Sequence, residues 1–142
     1  MRKIQKLELE DVKTILAASE AEAKKIGVDM DIAVVDDGGN LLGFYRMDRA
    51  KVTSIAIAID KAFTSAGTRK RTRDYKAMGA PDGPAFGINA SNSGRFMIFG
   101  GGVPVIVEGE CVGAVGCSSG SPEQDEQVAQ AGVDALLQKG SK

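Results

Sequence analysis

The sequence predicts an α+β domain built on one antiparallel sheet. Three observations carry this reading. Helical periodicity occupies the start, middle and end of the chain. The apolar runs between come as hairpin-like pairs joined by glycine turns. No strand–helix–strand alternation of the kind that makes a parallel sheet is present. At 142 residues, with 43% apolar and 26% charged residues, residues 1–142 read as a single globular domain.

The first helix is expected from about Glu8 to Ile26. Val12, Ile15, Leu16, Ser19, Ala23 and Ile26 recur at helical spacing, and Gly27 supplies a stop. No Ser, Thr, Asp or Asn stands at the expected cap. Asp31–Val35 and Leu41–Tyr45 then form a hairpin around DDGGN. Both runs are continuously apolar, so both sheet faces should be covered.

Lys51 to Thr68 reads as the second helix, with two stripes. Val52, Ile55, Ala56, Ile59 and Phe63 form an apolar one. Ser54, Ala58, Lys61, Ser65 and Thr68 form a small and polar one. Such a helix can pack closely against a second surface: a ligand, another element or another subunit. Residues 69–94 are the least regular part, a basic RKRTR (Arg69 to Arg73) followed by a Gly-, Pro-, Asn- and Ser-rich loop with one short helical turn. So long a loop in a small domain points to function.

Three more strands are expected: Phe96–Phe99, Val103–Val107 and Cys111–Cys117. Gly113 and Gly116 in the last imply close approach by another element. The final helix is the best signed. Ser121, Pro122 and Gln124 make a capping box with first-turn proline, and Val128, Ala131, Ala135 and Leu136 supply its buried stripe.

Composition excludes several classes of function. The chain has no His, which removes His-ligated metals, Ser-His and Cys-His catalysis and imidazole acid–base chemistry. Eighteen basic and nineteen acidic residues leave no global field to select a polymer. Five per cent aromatics and no Trp leave no stacking platform, so no nucleic acid is expected as partner. No apolar run reaches the roughly 18 residues of a membrane span, and the opening MRKIQKLELED lacks the apolar core of a signal peptide. Cys111 and Cys117, six residues apart in one strand, would lie about 20 Å apart and cannot pair. Free thiols favour a reducing compartment, and a cytoplasmic location is expected.

Few residues stand out as chemistry. GGGVP is no nucleotide cradle, since no GK[ST] follows it. Asp29, Asp31, Asp36 and Asp37 lack cation-loop spacing and read as turn chemistry, with Asp36 singled out because it ends an apolar strand beside the turn. Arg69 and Arg71 in RKRTR could meet carboxylates or phosphates of a small ligand. Lys61 is a candidate anion contact or shifted amine, or else a snorkelling lysine. Thr64 is a candidate ligand oxygen, or else a hydroxyl bonded to the carbonyl four residues back.

Four segments together carry a family resemblance: AVVDDGGNLLGFYRMDRA, IAIDKAFTSAGTRKRT, FGGGVPVIVEGECVGAVGCSSG and SPEQDEQVAQAGVDAL. Their motif order, VVD-x-G-G, R-M-D, K-A-[FY]-T, GGGVP and P-E-Q-D, resembles the GlcG/HbpS-like family, which includes the C-terminal domain of PduO-type proteins. The resemblance implies a profilin-like α+β fold, an antiparallel sheet of about five strands flanked by helices, and assembly into a homo-oligomer. Some relatives bind heme, and a corrinoid link is inferred for others. Thr64 occupies the place of the threonine associated with heme iron in a secreted relative. The His of other relatives is absent, so heme would be held weakly. Lys61, Arg69, Arg71, Asp36, Gly101 and Gly102 are the further candidate ligand contacts, and no metal site is expected.

Three functions follow. The first is a cytoplasmic small-ligand-binding oligomer for heme or a related tetrapyrrole, accessory to diol- or glycolate-type metabolism. The second is an enzyme on a small polar metabolite, with Lys61 paired to Asp36 or Asp125. The third is a structural or chaperone-like subunit.

Overall fold

The computed structural model describes residues 1–140. The chain runs α1 (Leu9–Ile26), β1 (Asp31–Asp36), β2 (Leu41–Arg46), α2 (Ser54–Thr68), β3 (Gly102–Val107), β4 (Glu110–Ser118) and α3 (Pro122–Gly140). The sheet is antiparallel in the order β2-β1-β4-β3. The α+β class is as expected.

Each helix end has a local cause. At α1 the Asp11 carboxylate reaches back to accept the N–H of the N-cap residue Glu8 at 2.8 Å, the reciprocal half of a capping box, and Gly27 closes the helix in the left-handed region. At α3 the expected capping box is present. Gln124 N–H donates to Ser121 Oγ at 3.2 Å, and Ser121 N–H donates to Gln124 Oε1 at 3.0 Å.

The helices cover both faces of the sheet. On one face α1 and α3 bury Val12, Ile15, Leu16, Val128 and Val133 against Ile32, Val34, Val105 and Val115. On the other, α2 lays Ala58, Ala62 and Ala66 on Ala33, Val35 and Ala114. This second seam is tight. A Cβ on Gly116 would run into the Ala58 carbonyl and lie 2.5 Å from the Ala62 nitrogen, so only glycine lets the helix backbone come this near.

Four expectations need correction. The sheet has four strands, not about five, because Phe96–Phe99 is not a strand. Its start is tied elsewhere: Phe96 packs edge-to-face on Tyr75 with centroids 4.9 Å apart, and Met97 N–H donates to Thr64 Oγ1 at 3.0 Å. The α2 stripes are inverted relative to simple amphipathicity: Ser54, Ala58, Lys61 and Ser65 of the small and polar one are buried, while Ile55, Ile59 and Phe63 are half-buried and Val52, 64% exposed, precedes the helix, which starts at Ser54 and not at Lys51. The buried stripe of α3 is Val128, Ala129, Gly132, Val133 and Leu136. Ala131 and Ala135 flank it half-buried, because the helix packs between α1 and the sheet. The long loop holds short 3₁₀ turns at Thr72–Tyr75, Ile88–Ala90 and Asn92–Gly94 where one helical turn was expected.

Candidate functional site

Lys61 is not a snorkelling lysine. It sits on the small face of α2, wholly buried, with its ammonium at a junction of three elements. Nζ donates to Asp125 Oδ2 at 2.8 Å and to the Cys117 carbonyl at 3.0 Å. The Phe99 ring covers it at 4.7 Å from Nζ to centroid, an ammonium–π contact. Asp125 is held in turn by the Gly120 N–H, 2.9 Å from Oδ1. Burial pushes Lys61 below the usual lysine range and Asp125 above the usual carboxylate range. Their mutual attraction and hydrogen bond oppose both shifts without cancelling them. Of the two carboxylates weighed against Lys61, the structure brings Asp125 to it.

The two predicted glycines wrap this lysine through their backbone. Gly101 has φ +136°, and a Cβ there would lie 2.6 Å from both Lys61 Nζ and the Cys117 carbonyl oxygen. Gly102 faces the Lys61 carbonyl, and its N–H donates to Thr72 Oγ1 at 2.9 Å.

Outside Phe99 lies a cleft of about 480 Å³ lined by Arg73, Lys76, Phe99, Gly100, Pro122, Glu123 and Glu126. Arg73 pairs with Glu126 Oε2 at 2.7 Å, and Arg71 approaches the same oxygen at 3.6 Å while bonding Gln130. Glu126 Oε1 is buried without a partner. Lys76 makes no ion pair among the described residues. Arg71 thus stands behind the cleft, and Lys61 lies one ring's thickness below its floor.

The other predicted residues lie apart from the cleft. Thr64 is 1% exposed. Its Oγ1 lies 2.7 Å from the Asp60 carbonyl and 3.1 Å from that of Arg95, and accepts the Met97 N–H. Arg69 ends α2 and lines a separate niche with Asp37 and Cys111. Asp36 closes the β1–β2 turn, where Oδ1 accepts the N–H groups of Gly38 and Asn40, both at 2.9 Å. Partial burial would raise its pKa, but the bonds from Asn40 and Gly38 outweigh that and hold it low. It pairs with Gly113, four register positions from the Cys117 carbonyl that Lys61 uses.

One chain-wide comparison decides the family. The family described as "Haem degrading protein HbpS-like" matches residues 7–134. The chain belongs to the HbpS-like family. A relative in Citrobacter freundii, described as an uncharacterized 15.0 kDa protein in the dhaT-dhaS intergenic region, is 40% identical over 135 residues, covering 95% of each chain. Protein ORFY of Klebsiella pneumoniae is similar in structure, with a TM-score of 0.94 at 36% identity over 96% of this chain and 94% of its own. A PduOC:heme complex aligns with a TM-score of 0.89 at 27% identity, over 92% of this chain and 95% of the other.

Within this HbpS-like scaffold, sequence reasoning missed Phe99, Lys76 and the burial of Asp31, and it reached Arg73 only as part of the RKRTR cluster. Phe99 was concealed by its strand-like neighbours, although its place directly before three glycines was a signal. Asp31, read as turn chemistry, is instead wholly buried in β1, and neither carboxylate oxygen has a partner. Burial raises its pKa to about 6, against the smaller opposing pull of Arg46.

Proposed function

We propose that this HbpS-like chain binds heme or a related tetrapyrrole such as a corrinoid, weakly, as an accessory protein of small-molecule (diol- or glycolate-type) metabolism. The observation that carries this reading is the match to a heme complex along nearly the whole of both chains. The cleft beside Phe99 suits the chemistry. It has an aromatic face for a flat macrocycle, with Arg73, Lys76 and Arg71 near enough to receive propionates. Lys61 supports the Phe99 floor from behind with Gly101 and Gly102 packed against it, while Thr64 stands outside the cleft and holds the N–H of Met97, two residues before Phe99. Binding is weak because the chain has no imidazole to ligate iron.

The same reading has the chain act as a homo-oligomer. The exposed Val52, just before α2, and the half-buried Ile55 on its first turn offer apolar surface that supports self-association. A cytoplasmic location fits two free, buried cysteines. No described helix is long and apolar enough to cross a membrane.

Hemin titration tests the proposal. A saturable Soret shift that Phe99→Ala and Arg73→Ala both weaken is expected, and the Thr64→Ala response reports whether that hydroxyl takes part. A spectrum unchanged by micromolar protein overturns the reading.

A further inference from the structure

Lys61 is more than a strut in one respect. Its amine has a proton acceptor 2.8 Å away, and the third side of Nζ is closed by a movable ring, where a further acceptor would have locked it. Phe99 belongs to neither core cluster and is 38% exposed, and it stands in an irregular segment that runs straight into Gly100, Gly101 and Gly102. Rotating that ring costs the ammonium–π contact and the packing of its covered part, but disturbs neither core cluster. It would open the amine to the cleft.

We propose that Lys61 and Asp125 form a masked amine site, which condenses with a small anionic aldehyde or ketone admitted from the cleft when the Phe99 ring swings aside. The inference goes beyond tetrapyrrole binding and does not depend on it. The required parts are all in place. An amine in a desolvated pocket beside a carboxylate can pass its proton to that carboxylate and become a nucleophile. The directions in which burial moves Lys61 and Asp125 both favour that transfer. The unpaired Lys76 ammonium in the cleft receives the anionic end of the molecule.

The chemistry balances without an added oxidant or reductant. Asp125 takes a proton from the ammonium. The freed nitrogen lone pair attacks the carbonyl carbon, and the carbonyl π pair moves to oxygen, which takes up the proton that the nitrogen sheds. The carbinolamine then loses water: the C–O bond breaks as Asp125 returns its proton to the hydroxyl, and the nitrogen lone pair forms C=N. Ammonium and carbonyl become an iminium ion and one water, with Asp125 again a carboxylate beside the cation.

Pyridoxal 5′-phosphate followed by sodium borohydride, read by peptide mass mapping of the full chain, tests this. Lys61 should carry the reduced adduct, and inorganic phosphate should slow its labelling but not that of exposed Lys13. Phe99→Ala should speed labelling of Lys61 about tenfold, the equivalent of one lost ammonium–π contact. Asp125→Asn should slow it about a hundredfold, with Lys13 again unchanged. Circular dichroism checks that each variant is folded, and Phe99→Ala carries the test if Asp125→Asn is not. The proposal is overturned if Lys61 stays unlabelled in both the wild type and Phe99→Ala while Lys13 reacts, or if Phe99→Ala leaves the Lys61 rate unchanged. Hemin binding is read separately, so either reading can fail alone.

Discussion

Lys61 and Asp125, on helices α2 and α3 that pack on opposite faces of the sheet, meet at 2.8 Å beside the Cys117 carbonyl, near the C-terminal end of β4. Neither side chain is more than 3% exposed. The pair therefore joins the two helical layers by charge.

Breaking the pair on one side should be expensive. Lys61→Met leaves Asp125 buried without its cation, and Asp125→Asn leaves Lys61 without its anion. Each should cost about 3–5 kcal/mol, and the double replacement Lys61→Met/Asp125→Leu should recover much of that loss. Urea unfolding of the three variants checks the order.

Asp31 should make the protein less stable as pH rises. Its folded pKa of about 6 exceeds the ordinary 3.8, so the folded state holds a proton that the unfolded chain has released. The resulting stabilisation is complete below about pH 4 and is lost as pH climbs through 6. Asp31→Asn should flatten that dependence. It should also raise stability at pH 7 by about 1–3 kcal/mol, since a buried unpartnered charge is removed. Thermal melts between pH 4 and 8 check both.

Gly116→Ala should strain the α2 seam. The added methyl meets the backbone of Ala58 and Ala62, which cannot turn aside as a side chain would. A loss of about 1–3 kcal/mol or more is expected, seen as a lowered melting temperature.

Neither cysteine should react in the folded state. Burial pushes the thiols of Cys111 and Cys117 above the usual range, most strongly for Cys117. A colorimetric disulfide reagent should register both thiols only after denaturant is added.

Much of this architecture was legible in the residues. The capping box at Ser121, the DDGGN turn and the stripe Val12–Ala23 are local signals, and each produced its element within a few positions. Lys61, Asp125, Gly101 and Gly102 were also visible as candidates, because a charge or glycine in an unusual setting shows in sequence. What sequence could not reveal was nonlocal. Phe96–Phe99 has strand-like residues, yet Tyr75 and Thr64 hold its start away from the sheet. The burial of Asp31 depends on the strands beside it, and the inverted α2 stripes depend on the small residues of β1 and β4. The basic run divides because Arg69 ends a helix while Arg71 and Arg73 turn toward Glu126.

The contact of Ala58 and Ala62 with Gly116 also limits how the molecule can be re-engineered. Among the valines, leucines and isoleucines of the α1–α3 side, a bulkier residue can be balanced by a trimmed neighbour, because both partners have side-chain atoms to give up. At this seam the partner is already the smallest residue there is. Changes that enlarge it have no counterpart to absorb them, so redesign must leave this strip alone and work from the cleft outward.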